Sequence, residues 1–249
     1  MRHQRYIVIL GAGSKIGQAY AKFLAEKGFG LVLIDFSEER LIECENYIFE
    51  KLQISTNIKR LVIDQTLQSL NEDYFNHQLS ELQSFCIDCF VNATNNLRYN
   101  PKDEGYNKNE GRFIIQELVQ QELLRQVFEK NTYLFNQIVQ YFHKKFYIPP
   151  LYTSVINIKR KSENKEIDPQ SKQNIDDFNE KLTLNSEEIC KIFYKASAEF
   201  NNYFTYMLNA QFKRKVRAIS VEIDYQRQGE ANYLLKKVLS SFKVLNYVM

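Results

Sequence analysis

The chain alternates short, β-rich apolar runs with longer stretches whose apolar positions recur at helical spacing. Tyr6–Leu10, Leu31–Ile34, Ile58–Ile63, Cys86–Val91, Ser154–Ile158 and Arg217–Ile223 read as strands. The first, YIVIL, has no polar position after its tyrosine, which suits a central parallel strand covered on both faces. From Lys15 the pattern turns helical, with Ile16, Ala19, Tyr20, Phe23 and Leu24 on one face. Leu41–Leu52 continues as a second helix, and Gln65–Phe85 reads as a polar surface helix. Two long helices are predicted, from about Phe113 to Phe146 and from Glu187 to about Phe212. Pro149-Pro150 ends the first, and Ser186 caps the second. The second carries an apolar stripe of Ile189, Ile192, Phe193, Ala196, Phe200, Phe204, Met207 and Leu208. A short helix near Ala231–Ser240 and an edge strand over Lys243–Val248 close the chain. Strands and helices alternate throughout, which predicts a single α/β domain over residues 1–249. Lys159–Leu184 breaks the rhythm with a dense mix of Lys, Glu, Asn, Asp and Gln, and reads as a polar surface insertion at about 159–184.

The first strand–helix–strand unit carries a chemical signal. Gly11-Ala12-Gly13-Ser14 follows the first strand at once, with Lys15, Ile16 and Gly17 opening the helix. Gly28 stands where a left-handed helix cap is expected, and Asp35 closes the second strand. Glycines let the backbone approach a pyrophosphate, the helix N-terminus faces it, and a carboxylate at the end of the second strand holds the ribose hydroxyls. The order and spacing fit a dinucleotide-binding unit. The expected fold is therefore a Rossmann-like, doubly wound parallel sheet of six or seven strands flanked by helices.

Composition narrows the partners. The chain has 249 residues, 44% hydrophobic and 25% charged, ordinary for a globular protein. A net charge of +3 is too mild to argue for nucleic acid or an anionic membrane. No apolar run approaches the roughly 20 residues that span a bilayer, so no transmembrane segment is expected. A first strand starting by Tyr6 leaves no room for a secretory leader. His3, His77 and His143 form no metal spacing, so no metal is expected. Cys86 and Cys89 form a C-x-x-C, but inside a regular strand they face opposite ways and read as buried thiols. An intracellular, reducing compartment fits, mitochondrial or cytoplasmic.

On these residues the chain resembles the short-chain dehydrogenase/reductase family, nearest to its hydroxysteroid dehydrogenase-like and 3-ketoacyl-CoA reductase branch. IGQAYAKFLAEKG is the most similar stretch. The family's T-G-x-x-x-G-x-G turn falls on Leu10 to Gly17; Gly11 and Gly17 match, Leu10 replaces the Thr and Lys15 the middle Gly. The resemblance implies a cofactor seat built from Gly11, Gly13, Ser14, Lys15, Ile16, Gly17, Asp35, Asp64, Asn92 and Ala93, with NAD(H) rather than NADP(H) as the implied cofactor. Asn92-Ala93-Thr94 keeps only the first Asn of the family's N-N-A-G. It also implies catalytic roles for Tyr194 and for Asn131. Arg160 stands at the family's Ser position and Ala198 at its Lys position; Glu222-Ile223-Asp224-Tyr225 replaces its Pro-Gly. Without a cation one turn away, a phenol near its reference pKa of about 10 is a poor acid or base at neutral pH.

Three roles follow. The first is a catalytically inactive family member acting as a structural or accessory subunit. Its partners would be a homodimer mate or a larger assembly, met through helices 113–146 and 187–212, whose matching helices form a four-helix dimer interface in the family. The second is an NAD-dependent oxidoreductase acting on a lipid or steroid-like carbonyl or alcohol. The third is a sensor that binds NAD(H) without turnover.

Overall fold

The computed structural model describes residues 4–63, 77–94, 132–143, 153–160, 186–212, 216–224, 227 and 230–244. Six strands, β1 Arg5–Leu10, β2 Gly30–Asp35, β3 Ile58–Val62, β4 Cys86–Asn92, β5 Thr153–Arg160 and β6 Val216–Ile223, form one sheet in the order β3-β2-β1-β4-β5-β6. Every neighbouring pair is parallel. The sheet is the expected Rossmann-like one, with β1 inside it and a switch in strand order between β1 and β4. All six residues of β2 and the last four of β1 are buried, as strands covered on both faces require.

Five helices are described: α1 Lys15–Glu26, α2 Glu38–Asn46, α3 Leu134–His143, α4 Ser186–Gln211 and α5 Ala231–Val244. On one face, Ile16, Tyr20 and Leu24 of α1, Leu41 and Cys44 of α2, and Leu234 and Phe242 of α5 pack on Ile7, Ile9, Leu31 and Leu33. On the other, Leu134, Phe135 and Ile138 of α3 and Leu208 of α4 pack on Val8, Leu10, Val32 and Phe90. Tyr20 donates to Ser241 Oγ at 3.1 Å, and Phe23 stacks on Phe242 with ring centroids 5.9 Å apart, so α5 is fastened to α1. Gly28 caps α1 at φ +80°.

Five expectations change. The closing helix runs on through Val244, so it takes the residues Lys243 and Val244 assigned to an edge strand; 245–249 lie outside the described residues. The helix after β2 is regular only to Asn46 and continues as a π-helical turn, Tyr47–Lys51. Of the helix expected over Phe113–Phe146, 132–143 is described, with Leu134–His143 helical; of the one over Gln65–Phe85, 77–85 is described and ends in a 3-10 turn, Glu81–Ser84. Residues 161–184 of the polar insertion lie outside the described residues.

The fourth change concerns α4. Its sheet-facing side is Ser197, Asn201, Thr205 and Leu208, all buried, whereas Phe200 and Met207 of the expected inward stripe are exposed. Small polar residues at this spacing let the helix lie close on β5 and β6, and Thr205 returns its hydroxyl to the Asn201 carbonyl at 2.7 Å.

A β-bulge also overturns the reading of the C-x-x-C. Tyr6 pairs with Ile87 but Ile7 pairs with Cys89, leaving Asp88 as the extra residue, buried and bonded to Arg5. Ile87 and Cys89, two apart, therefore face opposite cores, and the alternation on which the C-x-x-C reading rested does not hold. Of the two thiols expected to be buried, Cys89 is buried and Cys86 only half-buried; Cys89, like Cys44, is held inert by its burial. Burial pushes the Cys44 thiol up to about 12 and raises Cys89 further, with the neighbouring carboxylates of Asp35 and Asp88 adding to it. Both thiols therefore hold their protons longer in the folded than in the unfolded chain. The sign follows: the contribution of these two thiols is constant below about pH 8.5, then falls with rising pH as the unfolded thiols ionise, by about 1.4 kcal/mol per pH unit for each. Peptide mapping after alkylation at pH 8 checks this, with Cys44 and Cys89 unlabelled in the native chain and labelled in urea. Rapid native labelling of either would contradict it.

Candidate functional site

The end of β1 turns sharply. Gly11, at φ +76°, and Ala12 both donate to the Ile34 carbonyl, at 2.8 and 3.1 Å, so the turn is tied to β2. Ser14 N–H returns to the Gly11 carbonyl at 3.0 Å, and the Ser14 hydroxyl caps α1 by accepting from Gly17 N–H at 3.0 Å. No acid lies in the first turn of α1 itself; the Asp35 carboxylate stands just before it, on Gly13 N–H. Lys15 is exposed and has no ion pair among the described residues, so its stem does not lie buried across the turn. Ile16 is 1% exposed and anchors the helix start in the core.

Each glycine of the turn is needed for a different reason. A Cβ on Gly11 would lie 2.9 Å from the Ala93 carbonyl carbon and 3.0 Å from Thr94 N. A Cβ on Gly17 would lie 2.2 Å from the Gly11 oxygen. A Cβ on Gly13 would lie 2.6 Å from Arg40 Cβ and 3.0 Å from Asp35 Oδ2. The backbone is thus closed on itself, on β4 and on the end of β2.

Asp35 is buried, and its carboxylate accepts three backbone N–H bonds: Gly13 at 2.8 Å, Phe36 at 2.8 Å and Ser37 at 3.3 Å. It braces the glycine turn against the start of α2, as an acid at a strand end that caps the nearby turns. A carboxylate has about four lone-pair sites, which leaves room for about one ribose hydroxyl.

Across the switch point, Asn92 sits in register with Leu10 and with Asn157, and Asn157 with Ser220. Asn92 donates to Asn157 Oδ1 at 2.9 Å and accepts from Thr94 N–H at 3.2 Å and Thr94 Oγ1 at 2.6 Å. Ala93 N–H donates to the Leu10 carbonyl at 2.8 Å. The turns after β1 and β4 are therefore one packed unit, at the place where open α/β sheets bind ligands. Thr94 and Asn157 belong to it, although the sequence comparison with N-N-A-G credits only Asn92.

The catalytic candidates are placed less fully. Asp64 and Asn131 lie outside the described residues. Arg160 ends β5, and Tyr194 lies on α4, one helical turn before the half-buried Ala198; their side chains are outside the described set. Ile223 is buried at the end of β6. Lys159, one residue before Arg160, reaches α4, its Nζ 4.0 Å from Glu199 Oε1 with the side chain 23% exposed. Among the described residues no group of His, Cys, Asp and Glu has the arrangement of a metal site.

The residues fit a dinucleotide. A glycine turn, the N-terminus of α1 and a carboxylate at the end of β2 meet beside the switch point.

No family model matches this chain. The very-long-chain 3-oxoacyl-CoA reductase of Kluyveromyces lactis is 41% identical over 69 residues, which are 28% of this chain and 19% of that protein. The same enzyme of Candida glabrata is 32% identical over 87 residues, 35% of this chain and 24% of that protein. The matched stretches thus span about a fifth to a quarter of those relatives. Among solved structures, a beta-ketoacyl-[ACP] reductase of Bacteroides thetaiotaomicron superposes with a TM-score of 0.60 at 14% identity, covering 99% of this chain and 92% of that one. A short-chain dehydrogenase of Sphingobium yanoikuyae, solved in complex with NADPH, does so with a TM-score of 0.57 at 16% identity, over 97% of this chain and 84% of that one. The chain therefore has the fold of the short-chain dehydrogenases/reductases, and its resemblance to their 3-ketoacyl-CoA reductase branch is met again in the curated relatives that share its sequence.

Proposed function

We propose that this chain is a nicotinamide-dinucleotide oxidoreductase acting on a lipid-like carbonyl or alcohol. The observation that carries the reading is the glycine turn braced by Asp35 beside the β1–β4 switch point. The shared sequence with 3-oxoacyl-CoA reductases supports the carbonyl class, and favours this role over the inactive subunit. Gly11, Gly13, Ser14, Lys15, Ile16, Gly17, Asp35, Asp64, Asn92 and Ala93 hold the nucleotide. Asp35 favours NAD(H), because a carboxylate repels a 2′-phosphate. The bound nicotinamide supplies or takes the hydride. Tyr194 gives the proton to the carbonyl oxygen, and Asn131 positions it. Lys159 brings a cation to α4 at Glu199, one residue past Ala198. The chain works as one domain, 1–249, with a polar surface insertion at about 159–184.

A second reading, a subunit without turnover, is favoured by one structural feature. Phe200, Tyr203, Tyr206 and Met207 of α4 are 46%, 64%, 67% and 40% exposed. An outward aromatic face of this kind suits a protein partner or a second copy, and Arg160 and Ala198 suit the loss of catalysis. No helix among the described residues is long and apolar enough to cross a membrane.

The test is turnover by the unaltered protein with NADH and NADPH across 3-oxoacyl thioesters, ketones and alcohols. The expected result is turnover that falls at least a hundredfold in Tyr194→Phe. Binding of the nucleotide with no turnover of any of them would select the second reading.

A further inference from the structure

β6 is the last strand in the sheet order, so among the described residues one of its edges has no strand beside it. Along a strand, the N–H and C=O of alternate residues point to the same edge. The bonds made by β6 identify the outer set. Val216 N–H donates to the Phe212 carbonyl at 3.2 Å. Ala218 N–H donates to Asn209 Oδ1 at 2.8 Å, and Asn209 Nδ2 donates to the Ala218 carbonyl at 2.5 Å. Just past the strand, Asp224 N–H donates to the Tyr233 hydroxyl at 2.6 Å. The outward residues of β6 are therefore Val216, Ala218, Ser220 and Glu222. Asn209 stands near the end of α4, and its amide offers Ala218 a donor and an acceptor side by side, as a peptide group of a further strand would. No bond among the described residues meets the outward N–H and C=O of Ser220 or Glu222.

We propose that Asn209 guards the outer edge of β6, closing it against strand addition by a second copy of this chain. Strand addition draws its hold from main-chain bonds to successive outward residues. With Ala218 spent on Asn209, and Val216 N–H on the Phe212 carbonyl, only Ser220 and Glu222 offer complete pairs of groups. That run is too short to hold a strand, since even a full two-stranded ribbon is marginal in water. Without the amide, Ala218, Ser220 and Glu222 join into one run over the sequence AISVE. The same stretch of a second copy then pairs with it antiparallel, in a two-fold contact that closes as a dimer. The opposite edge of the sheet is protected by charge instead: in β3, Lys59 pairs with Glu81 and Arg60 with Glu45. This inference is independent of the nucleotide site.

The test follows amide exchange residue by residue, and self-association by sedimentation, in the full chain. In the unaltered protein Ala218 N–H is expected to exchange at least about tenfold more slowly than Ser220 and Glu222 N–H on the same edge. Asn209→Ala should bring Ala218 up to their rate and leave Ile219, which faces β5, protected. It should also make the chain associate more strongly with rising concentration than the unaltered protein does. Adding Ser220→Pro to Asn209→Ala should reverse that gain, because proline removes an outward N–H in the middle of the run. Equal protection of Ala218, Ser220 and Glu222 in the unaltered protein would mean that a strand covers this edge, and it overturns the proposal without any variant. Slow exchange of Ala218 kept in Asn209→Ala, fast exchange with no gain in association, or association that survives Ser220→Pro each overturns it too. Protection of Val8 and Ile9 in the central strand, expected to match the unaltered protein, shows that the variants are folded.

Discussion

Gly17→Ala is expected to destabilise the protein by about 3 kcal/mol or more and to abolish nucleotide binding. The added methyl would lie 2.2 Å from the Gly11 carbonyl oxygen, 2.7 Å from Ala12 Cα and 3.0 Å from Ala12 C. All three are backbone atoms, so no flexible side chain can yield. Relief requires α1 to back away from β1 or the turn to open. The first loosens the packing of Ile16, Tyr20 and Leu24 on the sheet. The second breaks the bonds from Gly11 and Ala12 to Ile34. Gly28→Ala is the control. Nothing lies within 4 Å of a Cβ there, and only the φ of +80° opposes it, so about 1 kcal/mol is expected. Urea unfolding of both variants decides the matter; a Gly17→Ala cost no larger than that of Gly28→Ala would contradict the packing of the turn.

Asp35→Ala should cost about 3 kcal/mol of stability and at least tenfold in dinucleotide affinity. Removal of the carboxylate takes the acceptor from Gly13, Phe36 and Ser37 N–H at a site that is 3% exposed. Asp35→Asn should fall between, since the amide keeps one acceptor oxygen but turns a donor toward backbone donors. Stability within about 0.5 kcal/mol of wild type in Asp35→Ala would show that the brace is not structural.

The strands were legible because each is a short apolar run between polar ones. The unit from Tyr6 to Asp35 was legible because strand, turn, helix, strand and acid agree in order. Other features depend on contacts through space. Periodicity locates the apolar stripe of α4 at Phe200 and Met207 but not which side lies on the sheet. The helix instead turns Ser197, Asn201 and Thr205 inward, because small residues allow close approach. The bulge at Asp88 depends on the register with β1, which no local pattern encodes. Arg40 reads as an ordinary first-turn residue of a surface helix; its nearness to Gly13 appears only when β2 and α2 bring two distant segments together. An acid at a strand end also reads as a cap on the nearby turns, but which N–H groups Asp35 holds was hidden for the same reason. Asp64 and Asn131, the remaining members of the candidate site, rest on the family resemblance.

The central claim is that the turn from Gly11 to Gly17 seats a dinucleotide. The most direct measurement titrates NADH and NADPH into the unaltered chain and follows nicotinamide emission on tyrosine excitation, which the chain's 16 Tyr and no Trp make clean. The expected result is saturable binding of one nucleotide per chain, displaced by ADP and lost in Gly17→Ala. No binding of either nucleotide at millimolar concentration, or binding untouched by Gly17→Ala, would contradict it.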